Sequence, residues 1–365
     1  MATNTTTTLS NQYQNYFSKK LLSYAVQALV LDQFAEKAPL PAKSGHKAIS
    51  MFRFGAPSTS AIEALTEGTA PSGTRTLSLS KIEKTLTQRG QVIELTDILT
   101  ATDLFNSLQQ SMKTNGEDAA LDMDTITRNG IVGSNVAGDA MENTFSTYVL
   151  DNSDQLVELY ADGTKETWAS GSGSAEYTTF EATTGSGTLL DAAAVLNAVT
   201  QLKVNRSQPA SGGMYVCAAS PQVISDIMVD TTWVNAAQYS NVQDLYKGEV
   251  GSLYGAKFVM TTNPFITGDT LGTDGDRFVY DASGGGGTAA TNDIHASIFL
   301  GQQSYGCPDL SSQSPFSPKV IISDQPDKSD PLNQKLTAGF KTFWCTLRLN
   351  PNYYVIMRSK TASTA

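Results

Sequence analysis

The sequence has very little histidine, and this limits the chemistry that the chain can perform. Only His46 and His295 occur among 365 residues, and each lies in a segment with strand-like alternation. A Ser-His-Asp or Cys-His catalytic system, or a metal site built from histidines, would have almost no residues to use. We therefore expect both histidines to be structural, and we expect no catalytic site, no metal and no cofactor.

Cysteine and long apolar runs are also scarce. The three cysteines, Cys217, Cys307 and Cys345, are far apart, odd in number and set among apolar neighbours. This pattern indicates reduced thiols in a cytosol rather than a disulfide framework. No apolar run approaches the ~18 residues of a membrane span, and residues 1–8 lack the basic start and apolar core of a signal peptide. We therefore predict neither a membrane span nor a signal peptide.

Charged residues make up only 16% of the chain, and acidic residues outnumber basic ones 35 to 25. The net charge of −10 disfavours sequence-independent binding to nucleic acid phosphates. The frequent Gly, Thr and Ser favour a β-rich protein whose solubility relies on neutral polar groups. The glycine run at 284–287 is not followed by Lys and Ser or Thr, so it is not a phosphate-binding loop.

The segment from Asp103 to Gly130 is predicted as one long helix around which the rest of the chain is organised. A helix of roughly 27 residues is about 40 Å long. Asp103 is suited to cap its start and Gly130 to end it. One face should pack on a sheet, because small and apolar residues recur there at spacings of three and four: Phe105, Leu108, Met112, Gly116, Ala119, Met123, Ile126 and Gly130. The other face should be exposed to solvent or contact a neighbouring chain. It carries polar and charged residues: Gln109, Gln110, Lys113, Asp118, Asp122 and Arg128.

The chain before this helix consists of an arm and a long ribbon. Residues 1–15 are polar, and 16–37 follow as a predicted amphipathic helix that ends before Pro39, which cannot continue it. Strand-like alternation marks 46–54 and 74–99, the second far longer than a typical strand of about five or six residues. Such a ribbon has too few apolar groups for a core of its own, so we expect it to project and to be covered by another copy.

The chain after the helix alternates between strands and shorter helices. A hairpin with Asp162-Gly163 at its turn is predicted at 156–168, because this dipeptide suits a tight primed turn. Helices are predicted at 188–205 and 221–240, and strands at 213–220, 255–265, 295–301, 317–323 and 339–359. The last strands are the most hydrophobic part of the sequence and are the expected partners of the long helix.

Several segments in this order resemble the major capsid proteins of tailed bacteriophages of the Hong Kong 97 type, in the branch typified by the coliphage N-four capsid protein. They are KKLLSYAVQALVLDQFAEKAPLP at 19–41, LTEGTAPSG at 65–73, QVIELTDIL at 91–99, LYGAKFVMTTNPF at 253–265, ASIFLGQQSYG at 296–306 and DPLNQKLTAGFKTFWCTLRLN at 330–350. No one of them is a strict motif, but their order and spacing are specific in combination.

The resemblance implies an α+β fold of the HK-97-like capsid type with an N-terminal arm, an extended β-hairpin loop, a long spine helix, and peripheral and axial domains. The implied boundaries are 1–43 for the arm, 44–99 for the extended loop, 100–137 for the spine helix of the peripheral domain, 138–187 for a β-rich insertion, 188–290 for the axial domain, and 291–365 for the closing strands of the peripheral domain. We interpret 138–187 and the loop insertion 267–292 as surface projections or contacts with decoration proteins.

The resemblance also implies a virion protein, assembled in the host cytoplasm, that forms hexamers and pentamers of an icosahedral shell. The shell would enclose packaged double-stranded DNA without sequence-specific binding and without a membrane. Decoration, scaffolding and portal proteins are the further candidate partners. Some relatives crosslink subunits through Lys and Asn, but no acidic catalyst is evident beside Lys81 and Lys84, so we do not predict that reaction.

Inter-subunit contacts are expected along the arm and the ribbon, at Phe17, Leu21, Phe34, Phe52, Phe54, Leu65, Glu67, Leu77, Leu79, Lys81, Lys84 and Arg89. Two other functions stay open on the sequence. An encapsulin-like compartment would share the fold and enclose cargo enzyme instead of a genome. A β-rich glycoside hydrolase would be monomeric, and the shortage of tryptophan, with three residues, and of histidine argues against it.

Overall fold

The computed structural model describes residues 30–38, 48–54, 62–70, 73, 79–103, 107–132, 156–163, 165–168, 189–210, 212–230, 249–267, 294–309, 319–323 and 334–361. The α-helices in these ranges are α1 Asp97–Thr102, α2 Ser107–Val132, α3 Ala192–Val204 and α4 Pro221–Val229. Short 3-10 helices lie at Leu31–Phe34 and Pro351–Tyr353.

The strands are β1 Glu36–Ala38, β2 Ala48–Phe54, β3 Leu79–Thr85, β4 Thr87–Thr96, β5 Leu156–Tyr160, β6 Lys165–Trp168, β7 Tyr215–Ala219, β8 Glu249–Leu253, β9 Ala256–Met260, β10 Phe265–Thr267, β11 Ile294–Leu300, β12 Tyr305–Pro308, β13 Lys319–Ser323, β14 Lys335–Trp344, β15 Leu347–Arg348 and β16 Tyr354–Ser359. They form sheets of eight, three, three and two strands.

The long helix α2 packs against the closing strands of the chain, as predicted. Met112, Ala119 and Met123 on its apolar face share one core cluster with Ala338 and Phe340 of β14. Asn115 Nδ2, buried in the middle of the contact, donates to the backbone oxygen of Ala338 at 3.1 Å. The sheet on which α2 lies has the antiparallel order β13-β14-β4.

The largest sheet divides the apolar core into two layers. Its strand order is β6-β5-β16-β11-β7-β9-β8, and β10 also pairs with β11. Alternate residues of the central strands point to opposite faces, so Ile298 joins the cluster around α2 while Phe299 joins the cluster around α3 and α4. Burial on both faces explains why β7, β11 and β16 are hydrophobic almost throughout.

Helix α4 begins at the predicted Pro221, whereas α3 begins at Ala192 and not at the predicted residue 188. Asp191 accepts a hydrogen bond from the backbone N–H of Ala194 at 2.7 Å at the start of α3. Ser220 accepts one from Val223 N–H at 3.3 Å at the start of α4, and Pro221 occupies the first turn, where its missing N–H has no effect. The predicted length of α4 is wrong, because this helix ends at Val229; residues 231–240 lie outside the described ranges.

The described part of the predicted strand at 74–99, residues 79–99, contains two strands and the start of a helix. β3 ends at Thr85 and β4 begins at Thr87, and between them Leu86 is buried in a small cluster under the ribbon. β3 pairs with β2, whereas β4 pairs with β14. The sequence from Asp97 is helical rather than extended, because Thr96 caps α1 by accepting from Leu99 N–H at 3.3 Å.

Three further details of the predicted helices are corrected. α2 starts at Ser107, whose N–H donates to the Asp103 carboxylate, and it runs past Gly130 to Val132. Arg128, expected on the wet face, is buried. The expected continuation of the first helix to Lys37 is wrong, since 36–38 form β1 parallel to β12; residues 16–29 lie outside the described ranges.

The predicted hairpin at 156–168 is confirmed and belongs to the body of the protein. Gly163 has φ +93°, a conformation that glycine adopts without strain. β5 pairs in parallel with β16, and β6 completes the edge of the large sheet. The described part of 138–187 is therefore not a projection. The predicted loop at 267–292 lies almost wholly outside the described ranges, and the domain boundaries stay predictions.

Gly130 provides a test of the contact between α2 and the closing strands. A Cβ at this position would lie 2.8 Å from Thr346 Cβ, so Gly130→Ala should lower the free energy of unfolding by about 1–3 kcal/mol through overpacking. Without this contact, alanine in a helix would stabilise by about 1 kcal/mol. Urea unfolding of the unassembled subunit measures the change, with Gln110→Ala at an exposed site of the same helix as the control. A more stable Gly130→Ala variant would contradict the close packing.

Candidate assembly surface

The ribbon β2–β3 has one face toward the body and one toward water. Its register pairs Phe54 with Leu79, and Phe52 with Lys81. These four residues lie on the outer face, where Phe52 is 63% and Phe54 66% exposed. Two aromatic side chains this open are unusual on a soluble monomer and indicate a contact with another molecule.

The base of the ribbon is fixed to the body by a small apolar core. Ile49 of β2 and Ile82 of β3 are buried together with Cys345 and Leu347 of the closing strands. Gly306 of β12 lies close to Met51, since a Cβ on Gly306 would be 2.6 Å from the Met51 sulfur. The ribbon is therefore buried at its base and exposed toward its far end.

The described part of the ribbon's far end, residues 62–70, is an exposed apolar and acidic turn. Leu65 is 76% exposed, and Glu67 lies in the same exposed segment. Gly68 has φ +79° and Thr69 N–H donates to Thr66 O at 3.1 Å, which fits a turn that requires a positive φ at its third residue. Glu63 accepts a hydrogen bond from Gly73 N–H at 2.9 Å.

The outer face of the sheet β13-β14-β4 is a second exposed apolar surface. Ile321, Gly339 and Val92 lie in one row across the three strands. Ile321 and Val92 are exposed, whereas Gly339 between them is buried, and a Cβ on it would lie 3.0 Å from the Val92 side chain. Gly339 is therefore the floor of the row. In the next row Lys319 pairs with Lys341, and the Lys341 ammonium lies 5.8 Å from the centre of the Phe343 ring. We call these five residues (Val92, Ile321, Gly339, Lys319 and Lys341) the notch surface.

The predicted contact residues occupy different environments. Phe52, Phe54, Leu79 and Lys81 lie together on the outer face of the ribbon, with Leu65 and Glu67 in its exposed turn. Lys84 lies opposite Ile49 on the inner face, and Phe34 packs against the core of its own chain. Phe17, Leu21 and Leu77 lie outside the described ranges.

Arg89 contacts its own chain. Its Nε donates to Asp122 Oδ2 at 3.0 Å and its terminal nitrogen to Asp122 Oδ1 at 2.7 Å. This two-bond ion pair joins β4 to α2 beside an open groove of about 600 Å³. The notch surface was not predicted from the sequence, although the alternation Lys319, Ile321, Ser323 indicates one outward-facing apolar residue in β13.

Burial changes the pKa of several titratable groups in the described ranges. Burial raises the pKa of the Cys307 thiol to about 12 and lowers that of His295 to about 4, so neither is charged at neutral pH. All three cysteines are free and buried, as predicted. Among the described residues, no cluster of His, Cys, Asp and Glu could hold a metal ion, and no helix is long and apolar enough to cross a membrane.

Solved capsid structures have the same arrangement of elements. The capsid of cyanophage P-SCSP1u aligns with a TM-score of 0.57 and 15% identity over 92% of this chain and 89% of that chain. The capsid of Ralstonia phage GP4 aligns with a TM-score of 0.57 and 11% identity, over 91% of this chain and 87% of that chain. The capsid of cyanophage Pam1 aligns with a TM-score of 0.56 and 17% identity, over 94% of this chain and 93% of that chain. No protein-family model and no curated protein matches the chain.

The chain therefore has the HK-97-like fold of tailed-phage capsids, as expected from the resemblance. The match extends over about nine-tenths of both chains, so it covers the whole architecture and not one shared motif.

His295 should make the stability of the subunit depend on pH. Its pKa is about 4 in the folded protein against 6.5 for the free side chain, so the unfolded chain binds the proton more readily. Stability should fall as the pH drops from 6.5 toward 4, with a loss of about 2–3 kcal/mol by pH 4.5. Urea unfolding of the unassembled wild type and His295→Gln at pH 7.5 and 4.5 measures this. An equal loss in both proteins would contradict the assignment.

Proposed function

We propose that this chain is a major capsid protein that assembles as hexamers and pentamers into the icosahedral shell of a tailed phage, around packaged double-stranded DNA. The observation that carries the proposal is a capsid fold over nine-tenths of the chain, combined with a ribbon whose outer face exposes two phenylalanines. The described part of the subunit leaves this face exposed, so copies of the chain are its natural partners.

The mode of contact that we propose is mutual covering by the ribbon. The outer face and turn of one copy lie on the closing strands of the next, and the N-terminal arm contacts a further copy. Leu65 of the ribbon turn and Val92 and Ile321 of the notch surface are exposed, so the described part of the subunit leaves both surfaces open to another copy. Obligate interfaces bury upwards of about 2,000 Å², which holds a shell without covalent bonds.

Charge supports the same pairing of surfaces. The ribbon turn combines the apolar Leu65 with the acidic Glu67, and the notch surface combines apolar side chains with Lys319 and Lys341. An apolar centre with opposite charges at its rim gives orientation as well as affinity. The net charge of −10 per chain opposes assembly at low salt, and screening over about 8 Å at physiological ionic strength relieves much of this repulsion.

The aromatic pair on the ribbon should be necessary for assembly. Wild-type protein should form hexamers, pentamers or closed shells by negative-stain microscopy and light scattering, and Phe52→Ser with Phe54→Ser should remain monomeric. Because both positions are exposed, each change should alter the free energy of unfolding by less than about 0.5 kcal/mol. Phe52→Leu with Phe54→Leu keeps apolar surface and is the matched control. A wild type that stays monomeric at its highest soluble concentration would contradict a shell protein.

Reversing charges should test which surfaces meet. Glu67→Lys alone, or Lys319→Glu with Lys341→Glu, should reduce shell yield at least about tenfold, since like charges at an interface repel. The triple variant should recover it. Lys203→Glu on α3, away from both surfaces, makes the same net charge change as the triple variant and is the control. Loss of shells in the single and double variants without recovery in the triple variant would show that the two surfaces do not meet.

An encapsulin-like compartment is the second candidate, because it would use the same fold and the same contacts between copies. The contents of the particles distinguish the two functions. Shells from the native source should contain nuclease-protected double-stranded DNA if the chain is a phage capsid protein, and a packaged enzyme if it is a compartment protein.

A further inference from the structure

The first described residues of the chain are bound by a buried carboxylate of α2. Asp124 is 2% exposed, and its Oδ1 accepts from the backbone N–H groups of Val30 at 3.3 Å and Leu31 at 3.0 Å. The Leu31 side chain lies in the main core, and the Tyr305 hydroxyl donates to the Leu31 oxygen. The backbone at residues 30 and 31 is thus fixed by hydrogen bonds to side chains.

The carboxylate is held in place from the other side. Asn263, in the segment between β9 and β10, donates from Nδ2 to Asp124 Oδ2 at 3.3 Å and to Thr125 Oγ1 at 3.0 Å. Arg128, one turn along α2, donates to Asn263 Oδ1 at 2.6 Å and to the Pro264 oxygen at 2.9 Å. The cluster therefore joins three parts of the chain that are distant in sequence.

Fold stability alone does not account for an ionisable group at this position. Burial raises the pKa of the Asp124 carboxyl, and hydrogen bonds from Leu31, Asn263 and Val30 and the charge of Arg128 lower it by less. The ionised carboxylate is therefore disfavoured by folding, as expected for buried charges that determine structural specificity rather than stability. What the carboxylate provides is an acceptor for two adjacent backbone N–H groups.

We propose that Asp124, supported by Asn263 and Arg128, is the positioning residue of the N-terminal arm. It fixes the backbone at residues 30 and 31, to which the arm is joined, and therefore limits which part of a second copy the arm can reach. This inference rests on the proposed shell function, since an arm position matters only if a neighbour receives the arm.

Hydrogen exchange followed by mass spectrometry on the unassembled full-length subunit tests the anchor, and electron microscopy of the same samples tests assembly. In Asp124→Asn the amide oxygen is a weaker acceptor than a carboxylate, and the new NH2 group would face the donor Nδ2 of Asn263. Peptides covering 30–38 should therefore exchange about tenfold faster. Peptides covering β16 should be unchanged, and regular shells should be lost. Asp118→Asn, the same change on the same helix away from Val30, is the matched control and should alter neither readout.

Each other result overturns part of the proposal. Unchanged exchange at 30–38 would show that Asp124 does not hold the arm, and faster exchange in β16 as well would show a merely structural role. Faster exchange at 30–38 with normal shells would refute the role in assembly and leave the shell function standing. A wild-type protein that does not assemble at all would refute both the role of Asp124 in assembly and the proposed shell function. If Asp124→Asn fails to fold, Tyr305→Phe removes only the hydroxyl bound to Leu31 and should also speed exchange at 30–38.

Discussion

The contact between α2 and the closing strands determines the arrangement of the rest of the structure. Thr127 is its centre: its hydroxyl donates to the Met123 oxygen at 2.9 Å and accepts from Trp344 Nε1 at 3.1 Å. Arg348 donates to the Gly130 oxygen at 2.6 Å, which places a cation at the carboxyl end of the helix, where the helix dipole favours it. These bonds fix α2 in one orientation, which apolar packing alone would leave less defined.

The ribbon, the entry of the N-terminal arm and the large sheet all take their positions from this contact. The ribbon rests on Cys345 and Leu347, which continue the strand that lies against α2. The arm enters at Asp124 of the same helix, and the large sheet packs Ile298 and Ile356 into the same cluster. The surfaces that we assign to assembly are thus all connected to one rigid unit.

Local periodicity predicted much of this architecture, because it records which side of an element is buried. The spacing of Met112, Ala119 and Met123 identified the core face of α2, and all three are buried. The hairpin turn at Asp162-Gly163 and the start of α4 at Pro221 followed from local backbone chemistry. The outward position of Phe52 and Phe54 followed from strand alternation.

What the sequence did not reveal depends on residues far apart in the chain. Gly130 was interpreted as a helix stop, whereas it is required by Thr346 more than 200 positions later. Arg128 was placed on the wet face because its partners, Asn263 and Pro264, are 135 and 136 positions away. The change of sheet at Leu86 likewise arises from a cluster shared with Ile49 and Leu347, which no local pattern shows.

The single residue between β3 and β4 also determines how a pulling force on the ribbon is transmitted to the body. Since Leu86 alone separates the two strands, a force on the far end of the ribbon passes to β4 through one residue. β4 is paired with β14 over its full 10 residues, so the load enters the body at ten paired positions rather than at a single flexible connection.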